Sequence, residues 1–303
     1  MGVDELLVTV PATSANLGPG FDAMGLALGL YDEVRVTPLR EAGLELEIDG
    51  EGADEVPRDD SHLVVRTLLI TMERLGARPP PGLRLHCTNR IPHGRGLGSS
   101  AAATVAGVLA GRALADDGAA RRPVEDAIAL AAEIEGHPDN VAACLLGGLT
   151  IAWREGERVF AVRLDPDPEL EAIALVPVQR LATETARGLL PATVPHDDAS
   201  HNVGRAALLV EALTRRTDLL LPATEDRLHQ GYRAAAMPET AALVERLRSA
   251  GHAAVVSGAG PGVLVLTSAQ THPDLSLVPA NWTTLRLPVA AGGARVEQGR
   301  PNG

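Results

Sequence analysis

The chain has 303 residues, 27 basic against 39 acidic, for a net charge of −12, and every basic residue is arginine. Without lysine it cannot use a Walker-type phosphate loop, the strand lysine of a protein kinase, or a lysine Schiff base. The acidic balance argues against nucleic acid or an anionic membrane as the main partner.

In chain order, residues 5–10 read as a strand and 25–38 as a longer one, with Val34 and Val36 alternating against charged neighbours. Residues 44–48 alternate apolar with acidic side chains, as expected of a strand paired with 25–38. A turn at 57–60 precedes Ser61, a candidate cap for an amphipathic helix over 62–75. After a strand at 83–88, a glycine-rich loop at 92–98 runs into an alanine-rich helix from Ser99 to about Asp116. A second helix over 123–135 opens on proline, 140–146 reads as helical, and 149–153 as extended. Strands at 159–164 and 173–178 follow, then helices at 184–190, 199–215 and 239–250. Buried strands at 253–256 and 263–267 flank a second glycine-rich turn, and 282–287 precedes a tail at 299–303. Strands and helices interleave throughout, so the expected class is α+β, with domains 1–154 and 155–303.

Cys87 and Cys144 lie far apart without metal-site spacing, as in a reducing compartment. The first seven residues lack the basic-then-apolar pattern of a signal peptide. The longest apolar stretch, 101–115, is broken by Arg112 and too short to cross a bilayer. These features lead to the expectation of a cytoplasmic protein.

The segment richest in chemistry is Pro92-His93-Gly94-Arg95-Gly96-Leu97-Gly98-Ser99-Ser100-Ala101-Ala102. Its glycines let backbone N–H groups close around an oxyanion, and the serines open a helix whose dipole favours negative charge. A lysine-free chain would hold a triphosphate in this way. The segment resembles the phosphate-binding motif of the GHMP kinases. Two more motifs of that family stand in the right order, Val10-Pro11-Ala12-Thr13-Ser14-Ala15-Asn16-Leu17-Gly18-Pro19-Gly20-Phe21-Asp22 and Ser257-Gly258-Ala259-Gly260-Pro261-Gly262.

Three features resemble the branch of the family that phosphorylates homoserine. They are the run from Pro11 to Asp22, the run Glu135-Gly136-His137-Pro138-Asp139-Asn140-Val141-Ala142, and Thr183-Glu184-Thr185-Ala186-Arg187 with the later Arg233. Ala143 departs from the proline usual in that branch. The resemblance implies a two-domain fold, with an N-terminal half like domain 2 of ribosomal protein S5 and a ferredoxin-like C-terminal half. It also implies ATP and Mg2+ as cofactors, L-homoserine as substrate and a role in threonine biosynthesis. Many members are dimers, and no feature of this sequence fixes the oligomeric state. Two alternatives stay open: another small-alcohol kinase of mevalonate type, or a nucleotide-binding regulator without catalysis.

By the same resemblance, Ser99 (with Ser100 as alternative) and Glu133 would hold the metal. Glu135 competes with Glu133 but projects from a different helix face. Arg187 and Arg233 would grip the substrate carboxylate, as arginine does in bidentate fashion. Asp22, Asp139 and Asn16 are candidates for the ammonium, and Asn16, His137 and Asp139 for aiming the hydroxyl. Asp139 is either a general base or an orienting group. Thr183 and Asn140 complete the polar set, and His201 stands where the family has a polar residue near the substrate.

Overall fold

The computed structural model describes residues 5–115 and 123–299. Strand β1 (Glu5–Ala15) begins with alternating burial and becomes continuously buried from Val8, because both of its faces are then covered. It pairs antiparallel with β2 (Met24–Leu39), with a bulge between Pro11 and Ala12. β3 (Gly43–Gly50) connects through α1 (Leu63–Arg74) to β4 (Gly82–Asn89), and these two strands are parallel. β4 lies between β2 and β3, so 44–48 pairs with 82–89 and not with 25–38. The exposed Glu45 and Glu47 mark β3 as an edge, where charge discourages further pairing. Ser61 does not cap α1. Its hydroxyl donates to Asp59 Oδ1 (2.6 Å), and the cap position falls to His62, whose side chain makes no capping bond.

Helices α2 (Ser99–Ala115), α3 (Val124–Glu135) and α4 (Asp139–Leu146) pack on this sheet. In α2, Gly107 lets the α1 backbone approach so closely that a Cβ would lie 2.6 Å from the Val64 carbonyl oxygen. Residue 116 lies outside the described residues. β5 (Leu149–Glu155) pairs with β2 and with β6 (Arg158–Leu164). The expected domain boundary at 154/155 therefore falls inside a hairpin, and β6 still belongs to the first sheet.

The second sheet starts with β7 (Leu170–Val176). Then come α5 (Thr183–Gly188), α6 (His196–Thr214), α7 (Leu220–Ala223), α8 (Gln230–Arg233) and α9 (Pro238–Ser249). β8 (Ala253–Val256), β9 (Val263–Ser268) and β10 (Thr283–Pro288) complete the order β10-β7-β9-β8. The last strand, β11 (Arg295–Gly299), returns to the first sheet and pairs antiparallel with β1. One apolar cluster runs from Leu6 to Leu287 through both halves, and a smaller one joins Ile173, Leu175 and Val265 to Leu243 and Leu247 of α9. No helix among the described residues is long and apolar enough to cross a membrane.

Candidate active site

Three glycines of the glycine-rich loop, Gly94, Gly96 and Gly98, stand at positive φ, and at two of them a side chain would collide with a neighbour. A Cβ on Gly96 (φ 75°) would sit 2.0 Å from the Ser257 carbonyl oxygen, and one on Gly98 (φ 71°) 2.0 Å from Thr13 Oγ1. The loop is thus stapled from three sides. Thr13 N donates to Leu97 O (3.1 Å), Ser257 Oγ to Gly96 O (2.6 Å), and Leu181 N to Gly94 O (3.1 Å). Gly98 O accepts the Ala102 amide, so the first-turn amides of α2, which have no intrahelical partner, face the loop.

Gly94, Gly96, Gly98, Ser99 and Ser100 line one pocket, together with Glu135, His137 and Asp139. The rest of the motif lies behind it. Pro92, Leu97, Ala101 and Ala102 are buried. Arg95 turns away, donating to the carbonyls of His93, Pro177 and Val178, so its guanidinium braces the loop. His93 is partly buried, which lowers its pKa, beside Glu51 and Arg180. Nearby His62 is buried, and among the described residues its Nδ1 has no hydrogen-bond partner.

Of the two glutamates that the sequence offers for a metal, the structure brings Glu135 to the pocket and not the expected Glu133. Glu133 pairs with Arg74 (2.5 and 3.1 Å) on an exposed face outside this pocket. Glu135 instead accepts from Ser100 Oγ (2.9 Å) and Thr104 Oγ1 (3.2 Å) inside it. Burial pushes the Glu135 carboxyl above its usual range, offset in part by the Ser100 bond, the His137 charge and the Thr104 bond. The two residues stand roughly 200° apart around a helix, so packing of α3 admits only one of them.

Asp139, 2% exposed, opens α4. Its Oδ1 accepts from the Asn140 amide (2.7 Å) and pairs with His137 Nδ1 (3.0 Å), while among the described residues none bonds to Oδ2. For His137, burial opposes the charged ring, but the bond to Asp139 and the Asp139 and Glu135 charges outweigh it and raise the pKa. Asn140 Oδ1 accepts from Thr13 Oγ1 (2.8 Å), which ties the α4 start to β1.

The loop after β1 holds three non-glycine residues at positive φ, Asn16, Leu17 and Asp22. Such backbone persists only where surrounding contacts impose it. Asn16 supplies two of those contacts, donating to Gly258 O (2.8 Å) and accepting from the Asp22 amide (2.9 Å). Asp22 forms a two-point pair with Arg187 of α5, at 2.7 and 3.1 Å. Thr183, Arg187 and Arg233 line the pocket along with Asn16, whereas His201 pairs with Glu225 (3.4 Å) and lines a different cavity.

Arg233 is the unusual member of the set. It is 1% exposed, and among the described residues no carboxylate lies within 4.0 Å of it. Burial and then the Arg187 charge pull its pKa below the ordinary value. A buried guanidinium that faces a pocket with only neutral partners beside it leaves a charge that an anion would balance. Sequence reasoning missed the staples from Thr13 and Ser257, because a hydroxyl reaching across 161 residues leaves no local signal.

A glycine-rich loop at a helix start, the buried Asp139, the partly buried Glu135 and the arginines Arg187 and Arg233 share one pocket. The chain belongs to the GHMP kinase family: the model of the GHMP kinases N terminal domain matches residues 62–148, and that of the GHMP kinases C terminal matches 202–277. The chain is 57% identical to the homoserine kinase of Streptomyces coelicolor, over 95% of this chain and 93% of that one. It is 46% identical to the homoserine kinase of Corynebacterium glutamicum, over 98% and 97%. Its fold matches the crystal structure of homoserine kinase from Cytophaga hutchinsonii with a TM-score of 0.82, at 27% identity over 97% and 98% of the two chains.

Proposed function

We infer that this chain transfers the γ-phosphoryl group of ATP to the side-chain hydroxyl of L-homoserine, giving O-phospho-L-homoserine. The observation that carries the reading is Arg233, a buried guanidinium that lines the pocket with the glycine loop and has no carboxylate partner among the described residues. A substrate carboxylate would supply the missing charge. Near full-length identity to homoserine kinases supports the choice of amino acid.

Phosphoryl transfer asks for positioning and charge neutralisation more than for covalent chemistry. The amides of Gly94 to Ser100 and the α2 dipole would cradle the phosphates. Ser99 and Glu135 would hold a magnesium ion, a hydroxyl and carboxylate set suited to a hard cation. When bound, that ion neutralises phosphate charge and shields Glu135 from the like-charged nucleotide. An amino acid can replace both halves of the Asp22–Arg187 pair, its ammonium taking Asp22 and its carboxylate taking Arg187 with Arg233. Asp139 Oδ2 would then face the hydroxyl, to orient it or accept its proton, with His137 and the Asn140 amide holding Oδ1. A site in the cytoplasm fits two buried, free cysteines.

The test is ADP release across a panel of small alcohols. Release should require both homoserine and magnesium, with none on mevalonate or galactose. Turnover of mevalonate alone would overturn the substrate, and nucleotide binding without any transfer would overturn the activity.

A further inference from the structure

Arg233 must be aimed as well as buried, and the N-terminal end of α8 is held by several contacts that do so. Asp226 caps the helix: Oδ1 accepts the Leu228 amide (3.0 Å), and Oδ2 accepts those of His229 (3.1 Å) and Gln230 (2.8 Å). Gln230 Oε1 accepts the Val256 amide (2.7 Å), which ties the helix to β8. His229 is fully buried and stacks on Phe21, with ring centroids 4.9 Å apart.

The His229 ring nitrogens meet opposite partners. Nε2 lies 2.9 Å from the Gly18 carbonyl oxygen, and Nδ1 lies 3.1 Å from Arg233 Nη1. A carbonyl only accepts and a guanidinium only donates. Both bonds therefore form together only when the ring is neutral with its proton on Nε2. Asp226, Arg233 and Asp22 are the charges around the ring, and burial, the largest influence, lowers its pKa and keeps it neutral.

The five guanidinium protons of Arg233 can now be assigned. Nε donates to Ala186 O (3.3 Å), and Nη1 donates to His229 Nδ1 and to Gly258 O (3.4 Å). Both protons on Nη2 are left, and among the described residues none accepts them. We propose that His229 is a positioning residue, whose Nδ1 holds Arg233 Nη1 so that Nη2 is presented to the substrate carboxylate. The proposal rests on the reading of Arg233 as part of the carboxylate clamp.

Two amide variants separate the ring's two contacts. In His229→Asn the side-chain oxygen reproduces the acceptor at Nδ1. In His229→Gln the amide reaches Gly18 but leaves Arg233 without an acceptor. His229→Gln should raise KM for homoserine about 10- to 100-fold, the loss expected for a hydrogen bond to a charged group, with KM for ATP unchanged. His229→Asn should stay within about threefold of the parent, because that bond is kept. Equal effects in the two variants, or a parallel rise in KM for ATP, would make His229 merely structural and overturn the proposal.

Homoserine methyl ester, which lacks the carboxylate charge, separates this inference from the reading beneath it. A parent enzyme that uses the ester as well as homoserine refutes the clamp itself. A parent that discriminates, with His229→Gln discriminating equally well, refutes only the role of His229. Nitrogen-15 spectra of histidine-labelled parent protein need no variant to fold. They should show Nε2 protonated and Nδ1 bare at His229, and the reverse tautomer would sink the proposal.

Discussion

At the residue scale the chemistry concentrates in a few side chains whose neighbours decide their roles. Glu133→Gln removes an exposed partner of Arg74, and exposed ion pairs contribute little. Its activity and magnesium dependence should match the parent. Glu135→Gln should cut kcat on the order of 10²-fold, as for loss of a charge-stabilising group, and raise the magnesium needed for half-maximal rate. Steady-state kinetics against magnesium concentration decide between the two, and the opposite ranking would return the metal to Glu133. Asp139→Asn tests proton transfer. A fall of roughly 10²–10⁴ in kcat marks a general base, whereas a loss nearer tenfold marks an orienting group.

At the element scale, the strands deliver the loop and one buried carboxylate fixes where it starts. Asp32 of β2 accepts the amides of Arg90 (2.6 Å) and Ile91 (2.9 Å) on a single oxygen, Oδ1, just ahead of Pro92. Burial is the dominant influence and pushes its carboxyl up to about 6, against the lowering effect of those two bonds. A folded-state pKa above the unfolded value of 3.8 means the folded chain holds this proton more tightly. Its stabilisation is complete below pH 3.8 and lost as pH rises through about 6. The displacement is worth roughly 3 kcal/mol. Asp32→Asn keeps the Oδ1 acceptor without the buried charge. Its stability relative to the parent should therefore improve between pH 4 and 7, by up to about 3 kcal/mol, in denaturant melts at each pH. An unchanged difference across that range would show that Asp32 does not titrate there.

At the scale of the whole molecule, the two sheets are joined by more than the chain between them. β11 comes from the end of the second half and covers the β1 edge, from Glu5 opposite Gly299 to Thr9 opposite Arg295. β1 continues directly into the Asn16–Asp22 loop of the site. Truncation before Arg295 uncovers an edge backed by Leu6 and Val8, an invitation to pair with another chain. The truncated protein should lose on the order of a few kcal/mol from the missing ladder, melt at lower temperature, and associate as concentration rises. Thermal melts with size-exclusion chromatography measure both effects.

The fold class and the motif-bearing loops were legible because they rest on local rules. Glycine at forced φ, serine at a helix start and alternating apolar residues leave their mark within a few positions. β11 was not legible, since a five-residue strand with one apolar side chain, Val296, carries no apolar period and exists only because β1 offers an edge. The pairing of 44–48 was misassigned for a similar reason: alternation fixes which face is buried but not which neighbour lies alongside. α8, four residues long, was hidden because its cap is a buried aspartate held by tertiary packing.

The absence of lysine, by itself, determined that any phosphate must be held by backbone amides, a helix dipole, arginine or a metal. The sequence also determined which carboxylates and arginines could take part. Only the tertiary structure chose among them, turning Glu135 inward and Glu133 out to Arg74. It also buried Arg233 with no carboxylate beside it among the described residues. The physical reason is common to both: a side chain's type is local, but the direction it points and the charge it meets are set by packing between distant segments.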